Sequence, residues 1–291
     1  MNVQSDIVMP FVFETLPIRG AVIQLERSWH RMLLGHNYEQ PVLETLGQSA
    51  AASALIAQSL KFDGSITLQI SGDGPLAMLV VQCTSELELR GMASAGPLDE
   101  DLDFADLVNK ARCAITVDAG AMERPYQGIV EVSGDSLANS IEHYYARSAQ
   151  VPSHLQLVSD RRCCGGILLQ QMPSAGDPAA DDWRRVGLLA STLGLRDVAG
   201  GVGPDLLTRL FAEDDLRVFR PRETVFRCRC TDRRAEDVLK LLGKEETAEV
   251  LEEQGKIEVT CEYCGRVRTF DSIDIERLFA DSGLRPSDTL H

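Results

Sequence analysis

Two short stretches carry the residue types that could do chemistry. Phe226-Arg227-Cys228-Arg229-Cys230 and, further on, Cys261-Glu262-Tyr263-Cys264-Gly265 hold four of the eight cysteines in a chain of 291 residues. Cys-x-x-Cys followed by glycine is a metal-gripping turn. Both sulfurs point into it, and the glycine relieves the backbone behind the second ligand. Cys-x-Cys on an extended chain presents its two sulfurs on one side. Four thiolates close a tetrahedral shell and leave no position for water or substrate. The pattern therefore points to one Zn2+ held by Cys228, Cys230, Cys261 and Cys264, and away from metal-assisted hydrolysis.

The same four sulfurs could be oxidised. Zn–S bonds of about 2.3 Å set tetrahedral sulfurs about 3.8 Å apart, one small shift from the roughly 2.05 Å of a disulfide. A metal keeps them as thiolates, the form that oxidants attack. Structural zinc is worth roughly 10–16 kcal/mol of folding free energy, against roughly 5–15 kcal/mol for a whole domain. A marginal module should unfold when its zinc goes. Spacing alone leaves open both a permanent stabilising site and a switch.

Around the cysteines, residues 221–291 read as a small module. Val238, Leu239 and Leu242 suggest a helix closed by Gly243; Val250 and Leu251 suggest another closed by Gly255. Ile257, Val259 and Cys261 alternate, which places Cys261 on the inward face of a strand. Asp271 is a candidate cap for a last helix that buries Ile275, Leu278 and Phe279. So few large apolar groups make a core that needs a staple.

Upstream, residues 1–175 mix strands and helices without a steady βαβ rhythm, so the expected class is α+β. Ala21 to Leu25 reads as a strand and Leu43 to Leu60 as an Ala- and Leu-rich helix stopped near Gly64. Ile66, Leu68 and Ile70 alternate, then Gly72-Asp73-Gly74-Pro75 turns the chain into a second apolar strand. No Gly-Lys-Ser/Thr follows these glycines, so a tight turn explains them better than phosphate binding. Tyr126 to Asp135 holds another strand, Ser136 to Tyr145 a helix, and Ser153 to Pro173 a strand pair turning near Asp160.

Residues 176–220 change character. Ser174 to Asp182 is a small-residue linker. Trp183, Val186, Ala190 and Leu193 share a helical face. Pro204 suits a first helical position, and Leu206, Leu207, Leu210 and Phe211 form a second stripe. Two such helices must pack on something larger, and their stripes are a candidate sticky surface. The expected organisation is a mixed α/β core domain (1–175), a helical linker region (176–220) and a C-terminal zinc-binding domain (221–291).

Composition excludes several classes. Apolar residues make up 44% and charged residues 25%, normal for a soluble chain. The longest strongly apolar run, Leu76 to Val81, is too short to cross a bilayer. No basic residue precedes Arg19, and Asp6 and Glu14 lie early, which is unlike a secretory signal. A cytoplasmic location is expected, where cysteine clusters serve metal or redox chemistry. The net charge of −15 argues against nucleic acid as a partner. Locally, however, Arg220, Arg222, Arg227, Arg229, Arg233, Arg234, Arg266 and Arg268 gather around the cysteines. Cys83 and Cys113 read as small buried hydrophobes, and a vicinal Cys163–Cys164 disulfide as strained. His30, His36, His143, His154 and His291 lack partners at metal spacing, and no nucleophile–histidine–acid set is evident.

The chain also resembles a known family, the redox-regulated holdase chaperones of the 33-kDa heat-shock type (33 kDa chaperonins). The likeness runs from Arg19-Gly20 through Phe62, Gly64, Gln69, Gly72, Gly74 and Pro75, then Arg90-Gly91. It continues through the segments from Tyr126 and Gly165 to the cysteine pairs and Phe279, in family order. It implies that the four cysteines bind one zinc when reduced and form Cys228–Cys230 and Cys261–Cys264 disulfides on oxidation. It further implies that the zinc module and the preceding linker then lose structure. The uncovered surface would hold unfolding client proteins without ATP, and the active form would dimerise. No enzymatic activity is implied. Two departures stand out. Ala149 replaces an acidic residue after Ser148. Arg268 replaces an aromatic near the zinc and is expected to loosen packing there.

Two other classes stay in view. The arginines suit a constitutive zinc-binding adaptor or a nucleic-acid-binding module. Cys261-Glu262-Tyr263-Cys264 suits a thiol–disulfide oxidoreductase, though no thioredoxin-like βαβ context accompanies it.

Overall fold

The computed structural model describes residues 5–98, 102–120, 125–132, 136–172 and 180–280. The chain divides into two compact units, Met1–Arg227 and Cys228–His291. The fold is α+β, as the sequence suggests.

The first unit is built on two sheets. One has the order β10 (Leu216–Val218), β1 (Ile7–Phe13), β2 (Ile18–Leu25), β9 (Cys164–Gln171), β8 (Ser153–Ser159), with β11 (Arg222–Glu223) also on β1. The other runs β12 (Val225–Phe226), β5 (Glu88–Ala95), β4 (Leu76–Thr84), β3 (Ser65–Ser71), β6 (Arg112–Asp118), β7 (Tyr126–Glu131). Neighbours in both sheets are antiparallel except β12 and β5. The Gly72–Pro75 turn joins β3 to β4 as a hairpin, and β4 bulges between Leu76 and Met78 where it pairs with β5.

Helix α2 (Gln40–Ser59) fills the space between the sheets. Pro41 sits in its first turn, where a missing N–H costs nothing. Its side chains Ala50, Ala51, Ala52, Ala54 and Leu55 are fully buried. Small residues all round let both sheets close on the helix, which explains why it shows little amphipathic contrast. Gly47 marks the closest approach: a Cβ there would lie 2.0 Å from Ser159 Oγ. The helix ends at Ser59, with Leu60 already extended. The remaining helices of this part are α1 (Arg27–Leu33), α3 (Phe104–Leu107) and α4 (Leu137–Tyr144), the last capped by Ser136 accepting from Asn139 N. A π-turn, Tyr145–Ala149, carries on from α4 and ends at Gln150 in the left-handed region.

Alternation along β1 splits the first sheet into two apolar faces. Val8 points to α2, whereas Ile7, Met9, Phe11 and Phe13 point away from it. That second face is covered by α5 (Ala180–Ala190), α6 (Leu195–Ala199) and α7 (Pro204–Leu210). Val186, Ala190, Leu193, Leu206, Leu207, Leu210 and Phe211 are all buried there. The expected stripes are real, but in this structure they are not an exposed sticky surface: they close the sheet's second core. The short helix α6, with Val198 buried, was not anticipated. Most of the Ser174–Asp182 linker lies outside the described residues.

The end of this unit is tied down firmly. Ser28 Oγ donates to the Thr224 carbonyl at 3.2 Å and accepts from Phe226 N at 3.1 Å. Arg222 donates to the Ser85 carbonyl and to Gln58 Oε1, and Arg227 pairs with Glu88 at 2.9 Å. The residue after Arg227 is the first candidate ligand. Among the described residues, no helix is long and apolar enough to cross a membrane.

Candidate metal centre

The second unit positions four cysteines with little else. Helices α8 (Asp232–Leu242) and α9 (Lys244–Gln254) lead into the hairpin β13 (Ile257–Thr260), β14 (Val267–Phe270), and α10 (Ser272–Ala280) follows. Thr231 caps α8 by accepting from Arg234 N. Gly243, at φ 94°, lets the chain turn directly from α8 into α9, and Gly255, at φ 72°, ends α9 in the left-handed region. Asp271 caps α10, its Oδ1 accepting from Ile273 N and Asp274 N. Among the described residues its hydrophobic cluster centres on Leu239, Ile257, Ile275 and Leu278, with partly buried neighbours that include Phe279.

The Cys-x-x-Cys knuckle sits at the tip of the β13–β14 hairpin. Cys261 lies one residue beyond β13: its N–H still donates across the hairpin to the Arg266 carbonyl, but its own carbonyl is taken up by the turn. Cys264 N and Gly265 N both donate to the Cys261 carbonyl, and Gly265 takes φ 65°. This is the turn that Gly265 implies from sequence. Cys228 and Cys230 come from the irregular chain after β12, and their sulfurs meet the knuckle. Cys228 Sγ lies 3.6 Å from Cys261 Sγ, and Cys230 Sγ lies 3.6 Å from Cys264 Sγ. All four sulfurs fall within 4.8 Å of one another.

These distances fit a metal. Tetrahedral zinc–thiolate geometry asks for sulfurs about 3.8 Å apart, and a set of four thiols with no carboxylate or imidazole among them suits a soft, closed site. The four clustered cysteines could therefore hold a metal ion.

Arg268 is the residue whose role the sequence did not disclose. It pairs with Val259 across the hairpin. Its side chain is only 12% exposed, so packing is not loosened there. The guanidinium donates to Asp232 Oδ1 and, at 3.4 Å, to the Cys230 carbonyl. The environment splits the thiols. Burial pushes Cys228 up to about 12. Burial also opposes ionisation of Cys230, but the hydrogen bond from Arg268 and the neighbouring thiols outweigh it and bring that group to about 7. Of the other arginines in the expected basic cluster, Arg227 is engaged with Glu88, Arg222 with Gln58 and Ser85, and Arg234 with the Arg229 carbonyl.

Cys83, Cys113, Cys163 and Cys164 are buried free thiols. Burial raises Cys83 and Cys113 to about 12 and Cys163 to about 11. His143 is exposed on α4. His154 bridges Ser191 Oγ and Glu142, a packing role that ties β8 to α4 and to the residue after α5.

A two-sheet α+β unit followed by a small unit with four converging thiols defines a class of protein with a four-cysteine module after its main fold. The chain belongs to the Hsp33 family, whose family model, described as Hsp33 protein, matches residues 6–271. It is 40% identical over 279 residues to a 33 kDa chaperonin of Nitrosococcus oceani, covering 95% of each chain. It is 38% identical over 285 residues to a 33 kDa chaperonin of Methylobacillus flagellatus, covering 97% of each. The fold is shared with the crystal structure of a 33 kDa chaperonin (heat shock protein 33 homolog) from Thermotoga maritima, with TM-score 0.77 and 23% identity over 96% of this chain and 99% of that one.

Proposed function

We propose that this chain is a redox-regulated holdase chaperone that needs no ATP, and that its three working parts are residues 1–175, 176–220 and 221–291. The observation that carries the reading is the convergence of four sulfurs within 4.8 Å in a unit whose hydrophobic cluster, among the described residues, is small. Membership of the Hsp33 family supports a chaperone role. Cys228, Cys230, Cys261 and Cys264 would hold one Zn2+, which would join the two chain segments as a structural staple. In that reduced form the protein is inactive.

Activation is a two-electron oxidation of each pair. Cys228 and Cys230 thiolates give up two electrons and join through a sulfur–sulfur bond. A peroxide takes the electrons and two protons, and its O–O bond breaks to give water. Cys261 and Cys264 react likewise. Sulfurs joined as disulfides no longer serve as thiolate ligands, so the module loses its staple and, with so small a core, its fold. Unfolding then extends to the helices α5–α7. The apolar face lined by Phe11, Phe13 and Ile167, now covered by Val186, Leu207 and Phe211, becomes available to unfolding client chains in the cytoplasm, and the oxidised protein dimerises.

The test is aggregation of a heat-denatured client in the presence of reduced or peroxide-treated protein. Suppression by the oxidised form alone is expected. Equal behaviour of the two forms overturns the reading.

A further inference from the structure

The two cysteine pairs arrive on separate pieces of chain, and one side chain fastens those pieces together without a metal. Arg268 stands on β14, directly after the Cys261–Cys264 knuckle, in register with Val259. Its guanidinium reaches the opposite side of the site. One nitrogen donates to the carboxylate of Asp232, in the first turn of α8, and another to the backbone carbonyl of Cys230. The fork geometry of arginine lets it hold both acceptors at once, which a lysine ammonium on a flexible stem does not reproduce. The arginine stem is covered while Asp232 is 86% exposed, so the fastening is anchored by packing on one side and open to water on the other.

We propose that Arg268 is a positioning residue that sets the affinity of the four-cysteine site for its metal, by holding the Cys228–Cys230 segment against the Cys261–Cys264 knuckle. The inference rests on the metal-site reading above. Without the fastening, more of the ordering of the Cys228–Cys230 segment, which forms no regular strand, falls to the metal, and that ordering is subtracted from binding. Partners that orient ligands in this way typically change metal affinity by roughly 10–100-fold when removed.

The experiment uses the full-length reduced chain and Zn2+ in competition with a chromophoric chelator, with Co2+ absorption as a second readout. Arg268→Met keeps the apolar stem and removes the donors. Its Zn2+ affinity is expected to fall by roughly 10–100-fold, with the four-thiolate Co2+ spectrum intact at saturation. Asp232→Asn, at an exposed position, is expected to weaken binding less, and Arg268→Lys to restore only part of the loss. Arg268→Met within about twofold of the unmodified chain overturns the proposal. If Arg268→Met does not fold, an unchanged affinity in Asp232→Asn overturns it instead. A chain that binds no Zn2+ before any substitution contradicts the metal-site reading, a result separate from either of these.

Discussion

The ring of Phe211 stands edge-on to that of Phe13, with centroids 5.1 Å apart and planes at 74°. Phe13 ends a strand of the first sheet, and Phe211 follows the last of the three helices that cover it. Phe11 completes the group, 5.9 Å from both rings. This aromatic contact fastens the helical cover to the sheet beneath. Phe211→Ala removes a fully buried ring at a cost of about 3–5 kcal/mol. The reduced variant should bind an apolar-surface dye more strongly and suppress client aggregation without oxidant. Dye binding equal to that of the unmodified chain counts against the cover.

Disulfide mapping tests the pairing. Peptide mass mapping after peroxide should recover Cys228–Cys230 and Cys261–Cys264. Recovery of Cys228–Cys261 or Cys230–Cys264 instead, the pairs found 3.6 Å apart in the reduced arrangement, refutes the assigned pairs.

The buried thiols give an alkaline prediction. Burial raises Cys83 and Cys113 from near 9 to about 12 in the folded chain. A raised pKa favours the neutral form on folding. The resulting stability is full below the unfolded value and lost as pH climbs from about 9 towards 12. Thermal midpoints should drop across that window, and Cys83→Ala should shallow the drop. At pH 8, native alkylation should leave Cys83, Cys113 and Cys164 unlabelled.

Asp160 gives the acid counterpart. Burial opposes its charge, but hydrogen bonds from Cys163 N and Arg162 N and the Arg162 side chain prevail, so its carboxyl lies below the ordinary value. A depressed pKa stabilises above the unfolded value of about 3.9, and that contribution disappears as pH falls through the folded one. Asp160→Asn should cost about 1–2 kcal/mol near neutrality and flatten the stability curve below about pH 4. An unchanged acid limb speaks against the assignment.

Much of this architecture is written locally in the chain. Alternation at Ile66, Leu68 and Ile70 and the Gly72–Pro75 turn specify one hairpin; Gly243, Gly255 and Gly265 mark three chain reversals, each at positive φ. The four cysteines announce themselves by type and spacing. What stayed hidden depends on distant partners. Helix stripes at Val186 and Leu207 show that something is covered, but the covered face, Phe11 and Phe13 on β1, lies nearly two hundred residues earlier. Cys261 reads as strand because its alternation with Val259 is real, yet the bonds from Cys264 N and Gly265 N to its carbonyl make it the start of the turn. Arg268 looks like a poor substitute for an aromatic until the hairpin register brings it to Asp232 and Cys230.

Amide hydrogen exchange along the full-length chain, compared between the reduced, Zn2+-loaded form and the peroxide-oxidised, metal-free form, reaches the central claim most directly. Protection in α8, α9, β13 and β14 should collapse on oxidation, while α2 and β9 keep theirs. An oxidised, metal-free module that exchanges as slowly as the reduced one contradicts the account.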